Sequence, residues 1–265
     1  MRLGRVRHND PMARIRCQAI CIRHLDWSET SQVVVLLTPE HGKVRGLAKG
    51  SKRMSPGAVA RFSGGIELLT RGEIVGMTRP STGLAALTEW DLQDAFGHLR
   101  RDLRKLWTAM YAADLADALV GDLDPHPEMF DAMQALLEAL ADTGAREAAL
   151  LAFQWSAFDA CGFRPRLDHD VHRDRPLEDV EAYTFDAHAG GLTTASLAVT
   201  DHGGRGPWRV RRETVQLLRD LDGGAVPSQP KAIERANRLL CVYIRSILDR
   251  QLPTMEHILG DTGGP

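Results

Sequence analysis

Gln32-Val33-Val34-Val35-Leu36-Leu37-Thr38-Pro39-Glu40-His41-Gly42-Lys43-Val44-Arg45-Gly46-Leu47-Ala48-Lys49 is the stretch on which the fold turns. Its first part, Gln32 to Thr38, is almost continuously apolar, which predicts a strand buried on both faces. Pro39 to Gly42 supplies a turn, with Gly42 where a positive φ is wanted. From Lys43 the pattern has period two, so Lys43, Arg45, Leu47 and Lys49 project from one face of a further strand. Upstream, Ile15, Cys17, Ala19 and Cys21 alternate with Arg14, Arg16 and Gln18, the mark of a half-buried strand. Downstream, a loop from Gly50 to Gly57 precedes two more predicted strands, Gly64 to Thr70 and Glu73 to Thr78, separated by Arg71-Gly72. Five short strands before residue 80 indicate a small closed or nearly closed barrel.

Beyond the barrel the period becomes 3.6. Leu103, Leu106, Trp107 and Met110 lie on one helix face, and similar patterns run over Leu84 to Phe96, Pro127 to Ala141 and Ala145 to Cys161. The last of these carries Leu150, Leu151, Phe153, Trp155 and Phe158 nearly all round, so it reads as a central helix. Gly162 to Gly206 is rich in Asp, His and Gly and reads as irregular. Helices follow at Arg211 to Leu221 and Ala232 to Leu252, the latter with Ile233, Ala236, Leu240, Tyr243, Ile247 and Leu248 inward. The expected organisation is a flexible tail over 1–13 (with Met12 as an alternative start), a barrel over 14–80, a helical domain over 81–258 with an irregular insertion at 163–206, and a tail over 259–265.

The 265 residues carry 33 Lys+Arg, 35 Asp+Glu and 43% hydrophobic residues, which excludes disordered and collagenous chains and suits one large domain or two smaller ones. No apolar run approaches the ~18 residues that span a bilayer. The first twenty residues hold five arginines and no apolar core, so no secretory signal is read there. Four cysteines make no disulfide framework and point to a reducing cytosol. Net charge is −2 overall, yet residues 1–79 hold 14 Lys+Arg against 6 Asp+Glu, and residues 80–265 hold 19 against 29. A basic segment joined to an acidic one suggests that the first part meets polyanions.

Lys43, Arg45 and Lys49 recur roughly 6.8 Å apart along one strand face, a row suited to a phosphate backbone. Lys52 and Arg53 extend it into the loop and Arg23 joins from the first strand; the competing reading is a solvated outer face. Phe62 reads as core, and Trp27, in the polar turn Asp26-Trp27-Ser28-Glu29, is the other aromatic of this segment. Binding is therefore expected to be mainly electrostatic and insensitive to sequence. Gly46-Leu47-Ala48-Lys49-Gly50-Ser51-Lys52 lacks the spacing of a phosphate-binding loop, so ATP use is not expected. His169, Asp170, His172, Asp174 and His188 match no established metal spacing and read as a solvated loop. Cys17 and Cys21, on one strand face, and Cys161 and Cys241, on apolar helix faces, read as small core residues.

Ile20-Cys21-Ile22-Arg23, Ser28-Glu29-Thr30-Ser31-Gln32, Leu36-Leu37-Thr38-Pro39-Glu40-His41-Gly42-Lys43 and Gly46-Leu47-Ala48-Lys49-Gly50-Ser51-Lys52-Arg53 together resemble the bacterial RecO family of recombination mediators. Weaker echoes run through Gly162-Phe163-Arg164-Pro165-Arg166-Leu167-Asp168, Gly190-Gly191-Leu192 and the last helix. The resemblance implies an α+β fold, with a five-stranded OB-fold barrel followed by an all-α domain. It implies a cytoplasmic, nucleoid-associated protein with no cofactor and no covalent chemistry. Such a protein binds single- and double-stranded DNA and anneals complementary strands. It recognises the C-terminal tail of single-strand-binding protein and, with RecR, helps load RecA onto gapped DNA. Arg23, Lys43, Arg45, Lys49, Lys52 and Arg53 then become the expected DNA contacts, and Arg101, Arg104 and Lys105 a basic cluster to test for the tail.

Many members of that family carry a four-cysteine zinc site after the Leu-Asp and Gly-Gly-Leu. Here those places hold His169, Asp170, Val171, His172 and Thr193, Thr194, so no structural zinc is expected. Two other functions stay open on sequence: a metal-dependent nuclease or phosphohydrolase using Asp168, His169, Asp170 and His172, and an interaction scaffold that binds no DNA.

Overall fold

In the computed structural model, which describes residues 13–78, 83–195, 207–224 and 227–259, the first strands close on one another. They are β1 (Ala13–Asp26), β2 (Gln32–Thr38), β3 (Gly42–Ala48), β4 (Arg71–Thr78) and β5 (Ala85–Asp94), in the barrel order β1-β2-β3-β5-β4. Neighbours are antiparallel except β3 and β5, which run parallel. This is the OB-fold plan, with α1 (Pro56–Phe62) between β3 and β4. The period-two residues Ile15, Cys17, Ala19 and Cys21 all point into the core, where they meet Val34, Leu36, Phe62, Ile74 and Trp90. Burial pushes the Cys17 and Cys21 thiols up to about 12, leaving them unreactive at neutral pH.

Several expectations are corrected. The expected helix Leu84 to Phe96 holds strand β5 (Ala85–Asp94) instead, so the barrel unit runs to Phe96 and does not stop at 80. The reason is a bulge: Val75 pairs with Glu89 but Gly76 with Leu87, so Thr88 is extra. The buried positions Ala85, Leu87 and Trp90 lose strict alternation and imitate helical spacing. Gly72 makes room for this strand, since a Cβ there would lie 2.9 Å from the Trp90 ring. Gly64 to Thr70 is not a strand; it turns, with Leu69 at φ 59, and drops Ile66 into the core. β2 is not buried on both faces, because Val33 and Val35 are half-exposed. The predicted loop before Gly57 gives way to α1, whose Pro56 suits a first helical turn.

The chain divides into two units, Met1–Phe96 with Val120–Phe130, and Gly97–Leu119 with Asp131–Pro265. Helices α2 (Leu103–Leu119), α3 (Pro127–Ala139), α4 (Arg146–Ala160), α5 (Arg212–Asp222), α6 (Pro230–Leu248) and α7 (Glu256–Leu259) follow the barrel strands. α4 is central as read: Leu150, Leu151, Phe153, Trp155 and Phe158 are buried. A polar bridge fixes its neighbours, with Tyr111 donating to Gln154 Oε1 at 3.0 Å and Gln154 Nε2 to Asn237 Oδ1 at 2.8 Å. α6 stops at Leu248, where Asp249 turns left-handed at φ 52, so the helix does not reach Leu252.

The segment read as irregular contains short strands. β6 (His169–Asp170) pairs with β7 (Arg175–Pro176), and β8 (Ala182–Asp186) lies between β9 (Gly191–Thr193) and β10 (Trp208–Arg211). Strands this short carry too few alternations to show as a pattern. The expected tails fall mostly outside the described residues; Ala13 opens β1 and Leu259 closes α7.

Candidate nucleic-acid interface

The outer face of β1, β2 and β3 is laid out in rows by the sheet register. Arg23 opposes Val35, which opposes Arg45; the next row is Leu25, Val33 and Leu47. Arg23 and Arg45 are exposed, and Leu25 is 65% exposed. Lys49 stands just past the end of β3, also exposed.

Two loops meet at that end of the sheet. The β1–β2 turn closes with Trp27 N donating to Ser31 O at 2.9 Å. The loop after β3 is stapled to it: Gly50 N donates to Ser31 Oγ at 3.1 Å and Lys52 N to Thr30 O at 3.1 Å. Ser51 Oγ donates to Gln32 Oε1 at 2.9 Å, and Gln32 in turn bridges to the Ile66 backbone, so a buried polar residue anchors both loops. Lys52 Nζ donates to Asp26 Oδ2 at 2.8 Å and holds that carboxyl below the usual range. Trp27, 69% exposed, sits between these anchors, and Met54 in the second loop is 82% exposed.

The sequence row is therefore only partly kept. Lys49 and Arg53 are exposed and without a charged partner among the described residues. Lys52 is shared with Asp26 across an open surface, a pairing worth little in water. Arg45 Nε lies 3.0 Å from Asp122 Oδ2, though the side chain stays half-exposed. Lys43 is taken out of solvent: it is 6% exposed, with Nζ 3.7 Å from Asp122 Oδ1. The cause is the Val120–Phe130 segment, which lies over the Gly42 end of β3; Leu123 N donates to Lys43 O at 3.0 Å. No local pattern links residue 43 to residue 122, so sequence reading had no means to see this. It also missed Leu25, whose place outside a barrel only the register reveals.

In the second unit, Lys105 Nζ is engaged by the carbonyls of Ala141 and Asp142, both at 3.2 Å, while Arg101 and Arg104 are exposed. A cleft of about 220 Å³ lies between β10 and α6, lined by Trp208, Val210, Leu239 and Val242 with Arg209, Arg211, Arg235 and Arg238.

The Asp/His stretch does not converge. Asp168 pairs with His169 at 3.0 Å and His172 with Asp186 at 2.9 Å. Asp170, 1% exposed, accepts from Thr193 Oγ1 at 2.9 Å, His172 N at 3.0 Å, and Thr194 N and Arg173 N at 3.1 Å. Burial acts to raise its pKa, but those donors outweigh it and hold the carboxyl down to about 2. With carboxylate and hydroxyl where thiolates belong, and the carboxylate filled, these residues do not fit a four-cysteine zinc site. Among the described residues no three His, Cys, Asp or Glu side chains gather as a cation site.

Residues 12–96 match the family model "Recombination protein O N terminal" and residues 100–256 match "Recombination protein O C terminal". The chain belongs to the RecO family. The boundary between the two RecO matches falls where β5 ends, in keeping with a barrel that runs to Phe96. Proteins named DNA repair protein RecO are similar along nearly the whole length. That of Anaeromyxobacter sp. (strain K) is 34% identical over 247 residues, 91% of this chain and 94% of that relative. That of Myxococcus xanthus (strain DK1622) is 31% identical over 260 residues, covering 92% and 97%. That of Geobacter sulfurreducens is 30% identical over 249 residues, also covering 92% and 97%. The α+β fold with an OB-fold barrel, and a place in DNA repair and recombination, follow for this RecO family member. Among the described residues no helix is long and apolar enough to cross a membrane.

Proposed function

We propose that this protein binds single- and double-stranded DNA through the cationic side of its barrel and anneals complementary strands without covalent chemistry. The observation that carries this is the grouping of Arg23, Lys49, Lys52 and Arg53 on one sheet face and the loops stapled at its end. Annealing requires two polyanions to approach, and fixed cations lower their mutual repulsion without any reacting group. The same reading makes it a cytoplasmic, nucleoid-associated mediator that acts with RecR to load RecA on gapped DNA coated by single-strand-binding protein. For the acidic tail of that coating protein, the β10–α6 cleft suits better than Arg101, Arg104 and Lys105. It offers apolar walls for a side chain and, for carboxylates, Arg209 and Arg211, which have no charged partner among the described residues, whereas Lys105 is occupied.

Annealing of complementary oligonucleotides, with EDTA and without ATP, tests the core of this reading. The expected result is EDTA-resistant annealing that weakens steeply with salt, and at least a tenfold loss in Lys49→Glu/Arg53→Glu. Strand cleavage that needs magnesium or manganese overturns it in favour of the nuclease. Unchanged DNA affinity in the charge-reversed variant overturns it in favour of a scaffold.

A further inference from the structure

We infer that the open edge of β10 takes an acidic peptide as an added strand, extending the β9–β8–β10 sheet by one. The inference rests on the reading of the β10–α6 cleft as a site for acidic peptide. It adds how the peptide is held: along its backbone, with no chain terminus required.

Hydrogen bonding within the sheet sets the edge. Among the described residues β10 has β8 on one side and no strand on the other. The far side of the sheet is met by Arg166, which bridges to Gly191 of β9. Arg212 N donates to Glu181 O at 3.0 Å, and the register runs unbroken from Arg211 with Ala182 to Trp208 with Phe185. Antiparallel pairs alternate, so Trp208 and Val210 bond to β8, while the N–H and C=O of Arg209 and Arg211 point away from it. Neither residue gives these groups a partner among the described residues. The cleft lies along this edge. Trp208, Arg209, Val210 and Arg211 all line it, although successive side chains point to opposite faces of a strand. A groove reached from both faces runs beside the strand.

Spacing and charge then select the occupant. Donors and acceptors that repeat about every 6.8 Å along an edge match another extended polypeptide, and a phosphate chain has no N–H to give to the carbonyls. Arg209, Arg211, Arg235 and Arg238 line the cleft and no carboxylate does. Arg235 and Arg238 lie 3.6 Å and 3.5 Å from Glu213 and Glu234, while Arg209 and Arg211 have no charged partner among the described residues. A second copy pairing through the same edge would set these arginines against like charge, which disfavours it. An acidic strand instead places carboxylates beside Arg209 and Arg211. Its intervening side chains fall on the face of the buried Val210, with Leu239 and Val242 as apolar wall. The recognised pattern is therefore alternately acidic and apolar.

Fluorescence anisotropy with the full chain tests this, using a labelled, acetylated and amidated octapeptide of alternating Asp and Val. Methylating the backbone nitrogens of one alternate set of its residues should weaken binding at least about tenfold, and of the other set by less than about twofold, because only one set faces β10. Arg211 has φ −72, which proline adopts, and its N–H is not used by β8. Arg211→Pro should thus bind about fivefold more weakly than Arg211→Ala, which loses only the charge. Equal binding of the two methylated peptides, or of the two Arg211 variants, overturns strand addition. If Arg209→Glu/Arg211→Glu still weakens the peptide in that case, the cleft remains an acidic-peptide site without it; if that variant binds normally, the reading of the cleft itself fails. Binding of oligothymidylate in place of the peptide, lost in the same charge-reversed variant, overturns the inference in favour of a nucleic acid. A dimer that Arg211→Pro dissolves overturns it in favour of a second copy.

Discussion

Asp170, read from sequence as part of a solvated loop, is instead buried and carries structure. With His169 and His172 beside it a metal-dependent function stayed open as an alternative, yet its oxygens are saturated by the Thr193 hydroxyl and three backbone N–H groups. It thereby ties β6 to the end of β9 across a stretch of chain with few strand hydrogen bonds. Because the folded carboxyl sits at about 2, below the roughly 3.9 of an unfolded Asp, its stabilisation is complete above about pH 4 and fades as pH falls toward 2. Asp170→Asn is expected to cost about 2–3 kcal/mol at neutral pH by thermal unfolding, with the gap to the unaltered protein closing in acid. A gap that stays constant from pH 7 to pH 2 refutes the role.

At the scale of elements, the β2–β3 turn is where local and long-range demands coincide. Gly42 has φ +60, and a Cβ there would lie 1.8 Å from Asp124 O. The same residue thus satisfies the turn and admits the Val120–Phe130 segment. Gly42→Ala is expected to lose about 3 kcal/mol, more than a left-handed residue alone costs, because backbone must also move. Asp124→Ala leaves that clash in place, so it should not rescue the melting temperature. The expected strand Gly64 to Thr70 and the expected helix Leu84 to Phe96 failed for a related reason. Both were judged by periodicity, and bulges or positive φ break periodicity wherever the barrel needs a bend.

For the whole molecule, charge is divided between a basic amino-terminal part and an acidic remainder, 14 Lys+Arg against 6 Asp+Glu over residues 1–79. The structure trims that surplus, since Asp122 engages Lys43 and Arg45. If Arg23, Lys49, Lys52 and Arg53 supply the phosphate contacts, the slope of log affinity against log salt should be about −2 to −3 for a single strand. Asp122→Ala frees Arg45 and should steepen it by about 0.7. A titration in which Asp122→Ala leaves slope and affinity unchanged excludes Arg45 from the interface.

The sequence by itself determined the class of fold and the basic character of the amino-terminal part. The alternation from Ile15, the run Gln32 to Thr38 and the 3.6-residue period of α2, α4 and α6 are local patterns imposed by local geometry, and charge composition survives any folding. Which cations reach solvent was decided only by tertiary structure. Lys43 and Lys49 are alike in sequence, read on one face of one strand, yet one is covered by a segment about eighty positions away and the other, just past the end of β3, is open. Leu25 likewise lies in solvent because the register of the closed barrel turns it outward. Burial and pairing depend on which distant segments meet, and that information is carried by no short window of the chain.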